Sequence, residues 1–337
     1  MKFVRSKQLV FCNNKGGVGK TTLAFNCGVE FSKKGYKVGL IDLDPQCNLT
    51  LLTLGNEFYE DSLLTGSQKT IYDVLKPKLE GAGDIDLNVS LIQVRNNLFI
   101  LPGDIKLSLF EDLLASGYYD AASGGMRGYS DTSSIYRFLK NKGMDEQFDV
   151  FIIDTSPSLG ILNRIIFLGA DYFAVPMMAD GFSVQGIENL GVVFEKWEKQ
   201  WKNTALAVAG STPQDHLVKG TSLFIGYIIN SFNVYSEKVV KRQREWLDKI
   251  PQKVKKFLSE KHCKNGLVEK SWNTPLARLQ DYGQLTAISM ENHLALPEFT
   301  NKTVNELNLQ GTKELHQKAY EQLNELTDNI LNILHDY

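Results

Sequence analysis

Cysteine and histidine are scarce in this chain, four and five among 337 residues. The cysteines stand at 12, 27, 47 and 263 with no metal-ligand spacing, so they read as reduced, structural thiols. The histidines are scattered, and no histidine chemistry is expected. No apolar stretch approaches the about 18 residues of a membrane-spanning helix. Met1-Lys2-Phe3-Val4-Arg5 leads straight into the first predicted strand, so neither a span nor a signal peptide is expected and the chain reads as cytoplasmic. Internal repeats and low-complexity tails are also missing. What remains is a composition of 43% hydrophobic and 23% charged residues, that of a soluble globular protein able to bury a large core.

Strand and helix patterns alternate along the chain, which predicts an α/β fold: a mostly parallel twisted sheet covered by helices on both faces. Strands are predicted at Leu9–Cys12, Val38–Leu43, Leu98–Leu101, Val150–Asp154, Tyr172–Met177 and Leu223–Ile229. Helices are predicted from Thr21 to Lys34, within Ile71–Leu79, and over Ser133–Lys142, Ser183–Trp201 and Thr312–Leu334. Two stretches read as insertions or mobile loops in a single expanded domain. One is 116–130, rich in Gly, Ser and Tyr, and the other is 209–220, polar with a proline.

Between the first strand and first helix runs Asn14-Lys15-Gly16-Gly17-Val18-Gly19-Lys20-Thr21, followed by Thr22. Glycines at 16, 17 and 19 let successive backbone N–H groups converge on phosphate oxygens, and the helix N-terminus adds its positive dipole end. Lys20 is then placed to neutralise β and γ phosphates, and the Thr21 hydroxyl to ligate Mg²⁺. The second strand ends in Asp42-Leu43-Asp44-Pro45-Gln46, two carboxylates before a turn. A later apolar run, Phe148 to Ile153, ends in Asp154, as the strand that holds Mg²⁺ through a bound water does.

The usual phosphate-loop pattern begins with glycine, and here Asn14 and Lys15 stand at its start. In this form the segment resembles the deviant Walker A loop of the ParA/MinD family of P-loop ATPases, most closely ParA-type partition ATPases. The resemblance covers most of the chain in motif order. It implies that Lys15 reaches across a homodimer to the partner's nucleotide, that Asp44 positions or activates the attacking water, and that Asp42 supports the magnesium shell. Thr155 to Gly160 resembles the second switch, with Gly160 free to turn its N–H toward a γ-phosphate. Ser156 replaces one of two prolines often found there, and Cys47 a glycine after Gln46. By the same resemblance Asn230 faces the adenine edge, and Pro275, as the proline after a later strand, flanks the base.

Charge is segregated. From Lys238 to Lys270 there are eleven Lys or Arg against four Asp or Glu, a surplus of +7 in a chain of net −2. Lys238, Lys241, Arg242, Arg244, Lys249, Lys253, Lys255 and Lys256 fall on predicted helices with Trp246 and Phe257 interleaved, a pattern that suits sequence-independent contact with DNA phosphates. ParA relatives bind nonspecific DNA as ATP dimers, through basic residues late in the chain. The resemblance thus implies an ATPase with ATP and Mg²⁺, reset by a ParB-like or other activating protein, nucleoid-associated, and serving plasmid or chromosome partition. The alternative is a related ATP-switch positioning or scaffold protein of a mobile-element or defence module with incidental DNA binding. An operator-reading domain ahead of the phosphate loop is not expected, because the loop begins too early. The last helix is acidic where the membrane-targeting helix of MinD relatives is basic, so it is expected to pack on the domain. A reductase of the nitrogenase iron-protein type needs paired cluster cysteines, and none lies between Cys47 and Cys263.

Overall fold

The computed structural model describes residues 3–58, 65–232, 244–307 and 312–337. Its centre is an eight-stranded sheet: β1 (Lys7–Phe11), β2 (Val38–Leu43), β3 (Ile92–Arg95), β4 (Leu98–Leu101), β5 (Val150–Thr155), β6 (Tyr172–Met178), β7 (Leu223–Phe232) and β8 (Ala277–Gln280). They lie in the order β3-β4-β2-β5-β1-β6-β7-β8, parallel throughout except for the β3–β4 pair. Val38 to Leu43 and Val150 to Thr155 are buried along their whole length, as parallel strands covered on both faces must be.

The helices used below are α1 (Lys20–Lys33), α2 (Asn48–Leu54), α3 (Ile71–Leu79), α4 (Ser108–Ala122), α5 (Met126–Thr132), α6 (Ser134–Asp145), α7 (Ile161–Gly169) and α8 (Gly181–Trp201). Helices α3 to α8 share one apolar layer with the sheet, through Phe110, Phe138, Phe167, Phe194 and Trp201. The opposite layer joins α1 to the helix Lys313–Asp336 through Phe25, Val29, Leu323, Leu326 and Ile330. That last helix packs on the domain as expected, and Lys34 fastens it with contacts to Asp328 at 2.7 Å and Asn324 at 2.6 Å.

Beginning at β1, the chain first builds outward to β2 and β4, returns through β5, and then crosses to β6 on the other side. The crevice at the carboxyl ends of β1, β5 and β6 is therefore the topological switch point where α/β sheets place ligands.

Three sequence expectations need correction. Residues 116–130 are not a loop: α4 and α5 run through them, with Gly117 and Gly128 buried where the two helices meet. Gly128 permits that crossing, since a Cβ there would lie 2.4 Å from the Gly117 carbonyl oxygen. Strands β3 and β8 were not foreseen, being four-residue edges without a long apolar run. Because β8 begins at Ala277, Pro275 precedes a strand rather than following one. Residues 209–220 hold only the short turn Gln214–His216.

Candidate functional site

The loop from Cys12 to Gly19 joins β1 to α1 at the switch point. Asn13 fastens its start: Nδ2 donates to the Pro176 carbonyl at 2.7 Å, and Oδ1 accepts from the Lys15 N–H at 2.9 Å. Gly17 and Gly19 have φ of 73° and 88°, a region costly for any side chain. A Cβ on Gly16 or Gly17 would meet nothing within 4 Å, so this backbone faces an open cleft. No acid occupies the first turn of α1, which leaves its N-terminal dipole to a bound anion.

The cleft has a volume of about 580 Å³, within the usual range for ligand sites, and is lined by Gly16, Gly17, Gly19, Lys20, Thr21, Thr22 and Asp44 among others. Val18 points the other way, into the core. Lys20 is nearly buried; desolvation lowers its pKa, opposed by the charges of Asp154, Cys12 and Asp44. Asp42 and Asp154 are direct register partners on β2 and β5, so two carboxylates share one buried level.

They are satisfied differently. Asp42 accepts from the Thr50 hydroxyl at 2.6 Å, the Thr50 N–H at 2.8 Å and the Asp44 N–H at 3.2 Å. Burial raises its pKa to about 6, with the Thr50 contacts working the other way. Neither oxygen of Asp154 has a hydrogen-bond partner that closes with good geometry. Burial pushes its pKa up to about 8, with Asp42 adding to the effect and the nearby Thr21 hydroxyl and Lys20 reducing it. An uncommitted buried carboxylate beside a hydroxyl is a fitting donor pair for Mg²⁺, which takes one or two protein oxygens and completes its shell with water and phosphate. Asp42 faces α2 instead, its carboxylate committed to Thr50 and the Asp44 N–H. Among the described residues no cluster of three or more His, Cys, Asp or Glu could hold an ion by itself.

Asp44 is nearly buried and accepts from the Gln46 N–H at 3.0 Å. Across the cleft, Asn163 donates to the carbonyls of Ser156 and Ser158, each at 2.8 Å, which folds 155–160 into a compact turn. The N–H of Gly160 is engaged by the Ser158 hydroxyl at 3.3 Å.

Lys15 does not point at the loop. Its ammonium lies 2.6 Å from Asp180, the N-cap of α8, whose other oxygen accepts from the Ser183 N–H at 2.7 Å. Burial works against the ionised Asp180, yet Lys15 and Ser183 hold its pKa below the usual carboxylate range. Asn230 touches the loop itself: Nδ2 donates to the Val18 carbonyl at 3.0 Å and Oδ1 accepts from the Ser231 N–H at 2.9 Å. Its amide therefore braces the loop between β1 and α1. Pro275 stands two residues before β8, whose first residue, Ala277, pairs with Ile228 of β7. The residues that β8 does bring to the loop are Gln280, Asp281 and Tyr282, which line a 210 Å³ cavity with Gly17, Gly19, Thr22 and Asn230.

Lys238, Lys241 and Arg242 lie outside the described residues. Of the rest of the basic segment, Arg244, Lys249 and Lys256 are exposed. Lys249, Lys255 and Lys256 sit over the rings of Trp246, Trp272 and Phe257 at 4.6 to 5.0 Å. Lys253 is paired with Glu188 at 2.5 Å, and Lys261 with Glu195. Sequence reasoning missed Asn13, Thr50 and Asp180, whose partners are remote in the chain.

Residues 6–208 match the family described as AAA domain. The chain is 33% identical over 216 residues to the virulence plasmid ParA family protein pGP5-D of Chlamydia psittaci, covering 58% of this chain and 71% of that one. It is 31% identical over 207 residues to the chromosome-partitioning ATPase Soj of Treponema pallidum, covering 60% and 69%. In fold it resembles the crystal structure of protein DIP2308 from Corynebacterium diphtheriae, with a TM-score of 0.67 at 24% identity over 96% of this chain and 97% of that one.

Proposed function

The chain belongs to the ParA/MinD family of P-loop ATPases, and from that premise we propose that it is an ATP-driven dimerisation switch acting in DNA partitioning. One observation carries the reading: Lys20, Thr21 and Asp44 line a single cleft beside a buried Asp154 whose oxygens have no well-formed hydrogen bond among the described residues.

In this reading the backbone N–H groups of Gly16 to Thr21 and the Lys20 ammonium hold the phosphates of ATP. Thr21 and Asp154 would hold Mg²⁺, which when bound neutralises charge on the phosphates. Asp44 orients the attacking water, and hydrolysis gives ADP and phosphate. Lys15 leaves Asp180 when a second copy approaches and engages that copy's nucleotide, so the ATP form is a homodimer. The exposed cations Arg244, Lys249 and Lys256, with the half-buried Lys255, contact DNA phosphates without reading sequence, and a ParB-like or other activating protein speeds the reset. The working place is the nucleoid, and the chain acts as one expanded ATPase domain. Pairing of Lys253 with Glu188 removes one cation from that face and favours, to that extent, the second reading: a scaffold switch whose DNA contact is incidental.

ATP turnover measured with and without duplex DNA tests the proposal. Asp44→Ala is expected to retain ATP binding and lose turnover by about 10²-fold, the usual worth of a positioned catalytic group. Wild-type turnover no higher than that of Lys20→Ala would overturn it.

A further inference from the structure

The turn that leads into α4 is connected to both sides of the cleft and carries apolar side chains left exposed among the described residues. Ile105 and Leu109, one turn apart, are 64% and 56% exposed. Within 104–112 the charged side chains are Asp104, Glu111 and Asp112 against Lys106, so this stretch is acidic. On one side, the Gly103 N–H donates to the Thr50 hydroxyl at 2.8 Å, and that hydroxyl donates to Asp42 at 2.6 Å. There is no slack in this path, because a Cβ on Gly103 would lie 2.9 Å from the Asp42 carboxyl carbon. On the other side, Glu111 reaches the second loop: its carboxylate lies 3.6 Å from where a Cβ on Gly160 would be. The base of the turn is held by Thr70, whose hydroxyl donates to Asp104 at 3.0 Å.

From this placement we propose that Ile105 and Leu109 form the docking point for the activating protein, which presents an amphipathic segment with apolar residues on one face and Lys or Arg beside them. The inference rests on the proposed hydrolytic switch and names where its partner acts. Apolar contact covers Ile105 and Leu109, and the cations of the segment meet Glu111 and Asp112. Pressure on the turn then acts on Asp42 through Gly103 and Thr50, and on Gly160 through Glu111. No residue that lines the phosphate loop is touched.

A fluorescein-labelled 18-residue Leu/Lys amphipathic peptide, with a Leu/Glu peptide of the same pattern as control, serves as probe. Anisotropy reads binding, and phosphate release reads turnover, both on the full chain. The Leu/Lys peptide is expected to bind and raise turnover several-fold, and Leu109→Ser and Asp112→Lys each to weaken binding about tenfold while basal turnover stays at the wild-type level. Equal binding of both peptides, or variants that bind like wild type, would overturn the proposal. Loss of ATP-dependent dimers in Leu109→Ser, seen by sedimentation, would overturn it too, by making the patch a contact between copies of this chain. If the wild type binds the Leu/Lys peptide and the variants do not, but no form hydrolyses ATP, the docking point stands and the hydrolytic reading fails.

Discussion

The residues that fix the chemistry divide by how their partners are reached. The places of Lys20, Thr21 and Asp44 along one cleft, and of Asp154 at the end of β5, could be read from their fixed spacings from glycines and apolar runs. The place of Thr50 could not, since its work is done through space: it joins Asp42 to Gly103, residues on two different strand ends. Thr50→Val keeps the shape and leaves a buried carboxylate and a buried N–H short of a partner. A loss of about 1–3 kcal/mol in urea unfolding is expected, with the midpoint shifted and the slope unchanged. Gly19 is a second such place. Gly19→Ala must place a Cβ 2.1 Å from the Asn230 amide at φ 88°, so ATP affinity measured by calorimetry is expected to collapse. Asn230→Ala alone leaves the glycine free and should cost far less. The contact of Asn230 with the Val18 carbonyl and the place of Pro275 before β8 both arise from packing across remote parts of the chain, which sequence does not display.

Among the elements, the long buried strands were legible and the edges were not. β2 and β4 coincide with their predicted bounds because continuous apolar runs leave little choice. β3 and β8 carry Gln and Arg, with Gln93 and Arg278 exposed, and gain their place from a neighbour. Helices α4 and α5 were read as a loop because Gly and Ser weaken local propensity, and tertiary packing of Tyr118, Ala121 and Tyr129 overrides it. The basic segment depends on a similar close approach. Gly191 of α8 lies under Phe257, and a Cβ there would stand 2.3 Å from the Phe257 carbonyl oxygen, which is backbone and cannot rotate away. Gly191→Ala is therefore expected to lift 250–262 off α8, lower the melting temperature by several degrees and weaken DNA retention at low salt, with ATP affinity unchanged. The Asp84–Arg137 pair ties the stretch after α3 to α6 with contacts of 2.6 and 2.7 Å. Arg137 holds the Asp84 pKa well below its ordinary value, so the stabilisation is present above about pH 4 and is lost as pH falls further. Asp84 is half exposed, so acid titration of Asp84→Asn should differ only modestly from wild type.

For the molecule as a whole, the strand order decides where everything meets. It opens a crevice at β1, stands Asp42 beside Asp154, and brings Lys15 to the cap of the helix against which the basic segment packs. The overall fold was legible from alternating patterns, and the state of Lys15 was not, because its ion pair with Asp180 spans 165 positions. That pair places the residue expected to reach a second copy in a resting position within its own chain. Sedimentation of Asp44→Ala with ATP and with ADP, at low salt and without DNA, is the direct measurement of the switch. A dimer with ATP that reverts to monomer with ADP, and is lost on adding Lys15→Ala, is the expected result; a monomer with both nucleotides would contradict it.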